Sequence, residues 1–478
     1  HQKEINFKKF GKSLPIFFFI KFIHKVYHSE KNYIYFECSY ESYEKTKSLL
    51  SFNFKIKFLN FKEKLIIVNR LILVGNGFDL AHGLKTSYKD FIDDFWENQE
   101  IEYFKFKNEY SQYNNDYYTA FNNTYFSFEI NPNNNFGKFL NSIKANGLDI
   151  QFKNKFLQII SEKINEVNWV DIENEYYQEL KVFDDLNIDQ LNRNFEKVKE
   201  LLEIYLSKIE KDFIINSQIS KHILNSIYLK DLESLTKNIF IEKIFNECII
   251  EEDNLISYLK SFKKEVLRYK ESSPQSKDNY FNKEFDKYDT EHKRIFKEII
   301  FPKNTLLLNF NYTKTTLTYI EEFNKIKDNN IDNNISEIHI HGELKNPQNP
   351  IIFGFGDDVD KKYQEFEDLN DNRYLENFKS IAYLQTDNYK KLLEFIDSEE
   401  YQVFIFGHSC GISDRTMLNT IFEHDNCKSI KPFYHLKKDG TDNYTEIVQN
   451  ISRNFNDKKK YRDRVVNKTY CEPLTQSI

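Results

Sequence analysis

Cysteine is sparse in this chain. Cys38, Cys248, Cys410, Cys427 and Cys471 are odd in number, widely scattered and contain no CxxC pair. That argues against a disulfide framework and against a cysteine-built zinc module, and it suits a reducing, cytoplasmic setting. Long apolar runs are lacking too. The segment 14-LPIFFFIKFI-23 falls short of the roughly 20 residues of a membrane span and is broken by Lys21. It has the look of a signal-peptide core, but no small-residue cleavage site follows it. A basic surplus is also missing: a net charge of -7 over 478 residues points away from nucleic acid. The densest basic run, 458-KKKYRDR-464, reads as a solvated tail segment. Glycine (12), proline (8) and methionine (Met417 alone) are rare, while Asn, Lys, Ile, Phe and Tyr abound. We read this as codon bias, which says little about function.

What is present is an ordinary globular balance, 40% hydrophobic and 29% charged, in a chain long enough for one large or two to three ordinary domains. The chain begins with His1, and residues 1–68 show no clear periodicity. They are expected to be an N-terminal extension, either translated upstream sequence or poorly structured, with native initiation near Val68 at a non-ATG codon. Residues 69–100 hold a strand, a glycine turn and a helix whose start is signalled by Thr86 and Ser87. Residues 101–300 form an insertion that is expected to be mostly helical. In 193-RNFEKVKELLEIYLSKIEKDF-213, Phe195, Val198, Leu201, Leu202, Tyr205 and Ile209 recur at helical spacing. Residues 301–440 return to short apolar strands at 305-TLLLNF-310, 337-EIHIHG-342, 350-PIIFGF-355, 402-QVFIFG-407 and 430-IKPFYH-435, and 441–478 read as a C-terminal tail. Strands separated by helical stretches predict an α/β fold: a Rossmann-like parallel sheet with helices on both faces, interrupted by the large helical insertion.

In such sheets ligands bind at the C-terminal ends of the strands. Four of these strands end in polar residues and glycines: Gly75-Asn76-Gly77, Asn309-Phe310-Asn311-Tyr312, His339-Ile340-His341-Gly342 and Gly407-His408-Ser409. The turn 75-GNGFDLAHG-83 is not GxGxxG, but small residues there let backbone N–H groups meet an anion at a helix N-terminus, which reads as a phosphate or nucleotide cradle. The structural alternative is a tight turn needed only for packing. An Asn in 309-NFNYT-313 can hold a ribose hydroxyl or a water, or simply close a turn. Strand alternation sets His339 and His341 on one face, and His341, last before a glycine, is placed to serve as a general base.

Two other chemistries stay open. The stretch 407-GHSCG-411 fits a nucleophile elbow around Ser409, with His424 or His435 downstream, or a second glycine-rich nucleotide turn. His339, His341, His408 and Cys410 are candidate metal ligands, although no carboxylate or further ligand spacing accompanies them.

Taken together, 71-LILVGNGFDLAHGLKTSYKDF-91, 168-NWVDIENEYYQEL-180, 307-LLNFNYT-313, 339-HIHGEL-344, 352-IFGFGDD-358 and 405-IFGHSCGISD-414 resemble the AbiH family of bacterial abortive-infection proteins. A looser likeness is to sirtuin-like domains. Their turn GAG-[IF]-S matches Gly75-Asn76-Gly77-Phe78-Asp79, their T-x-N-[IY]-D matches 309-NFNYT-313, their His-Gly matches His341-Gly342, and their late G-[YT]-S matches Gly407-His408-Ser409 with Asp414 downstream. Asn76 replaces a small residue, Asp79 replaces Ser, Thr313 replaces Asp, and the four-cysteine zinc module of the deacylases is absent.

The resemblance implies an anti-phage effector that hydrolyses NAD+ as its substrate, without a metal. Asn311 and His341 would be catalytic. Gly75, Asn76, Gly77, Phe78, Asp79, Asn309, Gly407, Ser409 and Asp414 would bind the dinucleotide. The insertion would gate the site, sense a phage trigger or build a homo-oligomer. A nucleotide-binding sensor or scaffold without chemistry is the alternative, which the changes at Asp79 and Thr313 favour.

Overall fold

The computed structural model describes residues 68–111, 119–130, 150–167, 171–182, 187–211, 213, 223–224, 227, 302–326, 334–358 and 360–475. The expected extension, apart from Val68, lies outside the described residues, and so does most of the insertion beyond 213.

Strand β1 (Asn69–Val74) lies at the centre of a five-stranded sheet. Its sequence, NRLILV, is apolar on both faces, as a strand covered on both sides must be. On one side it pairs in parallel with β5 (Asn304–Asn309), which pairs with β6 (Asn334–His339). On the other it pairs with β7 (Tyr401–Phe406), which pairs with β8 (Cys427–Phe433). All pairings are parallel, and the order β6-β5-β1-β7-β8 is that of a doubly wound sheet, with its reversal point between β1 and β7. The expected α/β class is therefore what is found.

Side-chain alternation splits the core in two. Leu71, Leu73, Leu308, Val403 and Ile405 pack against Leu392 and Ile396 of one helix (Asn388–Ser398), Leu418, Ile421 and Phe422 of a second (Arg415–Glu423) and Ile447 and Ile451 of a third (Tyr444–Arg453). Ile72, Val74, Leu307, Phe404 and Phe406 face the opposite way, onto helix α1 (Asn76–Ala81) and onto Tyr319 and Phe323 of Leu317–Ile326.

Between α1 and β5 the chain builds a separate lobe. Helix α2 (Tyr88–Ser111) opens on Ser87, whose hydroxyl accepts the Asp90 N–H while the Asp90 carboxylate takes the Ser87 N–H, a capping box. Helices α3 (Lys155–Val167), α4 (Ile172–Val182) and α5 (Ile188–Lys211) follow. In α5 the predicted stripe is buried at Phe195, Val198, Leu202 and Tyr205, with Leu201 and Ile209 at its margin.

The lobe is not only helical. Strands β2 (Thr119–Asn122), β3 (Phe126–Ile130) and β4 (Gln151–Phe152) form an antiparallel sheet beside these helices. Its first hairpin closes because the Asn123 side chain accepts the N–H groups of Tyr125 and Phe126, fixing the turn.

Two further expectations are corrected. Residues 350–355 are not a strand: Gly354 lies so close to the Asn377 carbonyl that a Cβ would overlap it, and a lone bridge joins Phe355 to Phe378. Of the expected C-terminal tail 441–478, the described residues 441–475 are packed: Ile447, Ile451, Phe455 and Val465 complete one face of the sheet. The basic run 458–464 is a helix capped by Asp457, and its buried Arg464 donates to the carbonyl of His424 at 2.7 Å.

Candidate active site at the strand ends

The two glycine turns meet at the β1–β7 reversal point and pack on each other. Gly75 N–H donates to Phe406 O (3.0 Å), Gly77 N–H to Gly407 O (2.8 Å) and Phe78 N–H to Gly75 O (2.8 Å). A Cβ at Gly75 would stand 2.5 Å from His408 Cα, and one at Gly407, where φ is +70°, would overlap the Phe78 amide. These glycines are thus required by close backbone approach. Of the amides proposed as an anion cradle, those of Gly75, Gly77 and Phe78 already donate within the chain. Asn76 remains exposed, held by Thr86, and Ser409 is exposed as well.

The remaining predicted residues divide into supports and a charged cluster. Asn309 is fully buried: its amide nitrogen donates to Thr316 and Glu337, and its oxygen accepts the Asn311 N–H. Asn311 reaches across to donate to Gly75 O at 3.1 Å, tying the β5 turn to the β1 turn. Asp79 is buried and accepts from Thr313 (2.6 Å) and Thr315 (2.7 Å). Burial raises its pKa to about 6, against the hydrogen bonds of Thr313, Thr315 and Asn311. The departures at Asp79 and Thr313 are therefore two ends of one hydrogen bond, with hydroxyl and carboxylate exchanged relative to the sirtuin-like pattern.

The charged cluster lies above β5 and β1. The loop after β6 brings His341, the loop after β7 brings His408 and Asp414, and Phe310, following β5, lies beneath both imidazoles with ring centroids 5.0 and 4.2 Å away. His341 Nε2 is 3.1 Å from Asp414 Oδ1 and 3.1 Å from the Tyr383 hydroxyl. His408 Nδ1 accepts the Cys410 N–H, which leaves its Nε2–H toward Asp414 Oδ2 at 3.5 Å.

Two residues that the sequence did not single out complete it. Lys379, at the start of a short helix (Lys379–Ala382), is fully buried and donates to Asp414 (2.8 Å) and to Glu173 of α4 (2.9 Å). Burial and the Lys379 charge press the His341 pKa down to about 4, so its imidazole is neutral at physiological pH. Against burial, Lys379 and His341 hold Asp414 well below the usual carboxylate range. One ammonium cannot neutralise two carboxylates. Burial therefore pushes Glu173 up to about 8, with Lys379 opposing and Asp414 adding to the rise. At neutral pH the cluster is ionised at Asp414 and Lys379 and carries no net charge, as a buried group of this kind must.

A family model described as bacteriophage abortive infection AbiH matches residues 71–435. This chain belongs to the AbiH family. The AbiH match runs from β1 past the end of β8 and contains every residue of the cluster, Glu173 and Lys379 included. With the family comes its role in abortive infection against bacteriophage. No curated protein matches the chain. Among the described residues of this AbiH protein, no helix is long and apolar enough to cross a membrane.

The alternative chemistries gain no geometry. No histidine among the described residues hydrogen-bonds Ser409, and the left-handed residues of that turn are Gly407 (φ 70°) and Cys410 (φ 55°) rather than the serine. His339 turns to Glu337 (3.2 Å) and the Asn311 carbonyl, away from the partners of His341.

Proposed function

We propose that this AbiH protein is an abortive-infection effector that hydrolyses the nicotinamide–ribose bond of NAD+. The observation that carries the reading is the His341–Asp414 pair at the C-terminal edge of a doubly wound sheet. An ionised Asp414 can only accept, so the 3.1 Å contact assigns the proton of His341 to Nε2 and the lone pair to Nδ1. Water then attacks ribose C1′ and gives a proton to His341 Nδ1. The C1′–N bond breaks with its electron pair leaving on nicotinamide, which departs neutral. Asp414 stabilises the imidazolium formed, as it would in any acid–base pair of this kind. The transition state has oxocarbenium character, as in other glycoside cleavages. The amide nitrogen of Asn311 is committed to Gly75 and Asp79, so orientation of ribose or water falls to its oxygen. NAD+ depletion would starve the infected cell.

One observation favours a second reading, a nucleotide-binding sensor without chemistry: the departures at Asp79 and Thr313 are engaged with each other in a buried hydrogen bond. Chromatography of NAD+ incubated with the protein, with His341→Ala and with Asn311→Ala, each with and without phage-infected lysate, separates the two. Nicotinamide and ADP-ribose formed by the unaltered protein alone support hydrolysis. Binding of NAD+ with no turnover in any condition favours the sensor.

A further inference from the structure

We propose that Lys379 and Glu173 are positioning residues for the His341–Asp414 pair, and that Glu173 makes this pair depend on how helix α4 of the inserted lobe is seated. The inference rests on the reading of His341 as the base. Lys379 Nζ is held by one carboxylate from each part of the molecule, Asp414 from the sheet and Glu173 from the lobe, at 2.8 and 2.9 Å. A buried ammonium is a poor way to stabilise a core, since apolar side chains of similar volume commonly do as well or better. Its position explains its presence. Lys379 and His341 share the same oxygen of Asp414, so the place of the ammonium sets both the orientation of that carboxylate and the field at the imidazole.

Glu173 fixes that place. Its second oxygen accepts the Gly354 N–H at 3.2 Å, and Tyr177, one turn along α4, stacks on Phe355 with centroids 3.9 Å apart and planes 7° from parallel. The backbone of Phe355 in turn bonds to Asn377 and Lys379, at 3.1 and 2.9 Å. Helix α4 thus grips both the lysine and the strip of chain that carries it. If α4 shifts, the ammonium loses one of its two oxygen partners, and its place beside Asp414 and His341 is no longer fixed.

The titratable groups around the imidazole are Asp414 and His408 from the β7 loop, Lys379 and Tyr383 from the segment after 378, and Glu173 from α4. Asp171, Tyr88 and Tyr312 stand around Glu173. The test reads His341 directly, by NMR titration of the full chain labelled at histidine, with NAD+ cleavage measured in parallel. In Lys379→Met the His341 midpoint moves upward by about one pH unit or more, because the opposing charge is gone. Glu173→Ala, with the ammonium tethered on one side, moves it the same way by less and lowers kcat about tenfold with KM nearly unchanged. Glu173→Gln, whose single amide oxygen can keep the bond from Lys379 but not also the one from Gly354, restores most of the parent titration and of the turnover.

A folded Lys379→Met protein whose His341 titrates as in the parent overturns the proposal. Should Lys379→Met not fold, an unmoved midpoint in Glu173→Ala overturns it equally. If the unaltered protein cleaves no NAD+, the hydrolase reading falls, and the histidine titration still decides whether Lys379 and Glu173 position the pair.

Discussion

The strand-end face has two neighbouring regions built on different principles. At the β1–β7 reversal point, backbone meets backbone: the amides of Gly75 and Gly77 donate to the carbonyls of Phe406 and Gly407, and a Cβ at Gly75, Gly77 or Gly407 would overlap the facing chain. Above β5 and β1, side chain meets side chain: His341, His408, Asp414, Lys379 and Glu173 form a strongly polar cluster. The difference teaches that a glycine-rich turn at the topological switch point need not be the ligand cradle. In this chain the turn joins two loops over the sheet, and the titratable groups lie on the loops themselves.

The largest effect should come from removing the proton-accepting pair. His341→Ala is expected to lower NAD+ cleavage by about 10²–10⁴-fold, mainly in kcat, as loss of a general base does. Next come the glycines. Gly407→Ala places a Cβ on the Phe78 amide at a positive φ and is expected to cost about 3 kcal/mol or more in urea unfolding. Gly440 has a similar φ of +82° but open space around it, so Gly440→Ala should cost only about 1 kcal/mol. Equal losses would show that backbone strain alone, and not close approach, demands glycine at 407.

The exchanged pair offers a finer test. Asp79→Ser and Thr313→Asp should each destabilise by about 1–3 kcal/mol, the first by removing the acceptor and the second by adding a carboxylate beside one already buried. The double variant should recover most of that loss, and simple additivity in the unfolding cycle would mean that the two positions are independent.

The smallest effect is one of pH. Glu173 titrates at about 8 in the fold against an ordinary 4.5, so its contribution to stability is complete below pH 4.5 and is lost as pH rises through 8. Glutamine cannot ionise. Relative to the parent, the Tm of Glu173→Gln should therefore rise steadily from about pH 5 to about pH 9, on top of a pH-independent loss for the one hydrogen bond that an amide NH2 cannot accept. A variant Tm that falls relative to the parent as pH rises would contradict the raised pKa.

Much of this architecture was legible because its causes are local. Strands such as LILV and VFIF, apolar at every position, can only be covered on both faces; the polar end of the strand read at 337–342 marked His341, while Asp414 was marked only by the family resemblance. The segment PIIFGF misled for the same reason: a short apolar run looks alike whether it pairs in a sheet or packs as a loop, and only the approach of Gly354 to Asn377 distinguishes them. The β2–β3 hairpin was missed because its turn rests on the Asn123 side chain in a chain full of asparagine.

Lys379 and Glu173 were missed for a non-local reason. Glu173 sits beside Ile172 at the start of an amphipathic helix, where a carboxylate reads as an N-terminal charge. Its partner lies 206 residues away, and nothing in one lysine's neighbours announces an ion pair of that separation.

The most direct test of the account is a structure of the His341→Ala protein with NAD+ bound. The account predicts the nicotinamide–ribose linkage over the space left by the imidazole, beside Asp414, with the amides of Gly75 and Gly77 still bonded to Phe406 and Gly407. A dinucleotide whose pyrophosphate takes those amides, with the β7 turn displaced and the ribose away from Asp414, would contradict it.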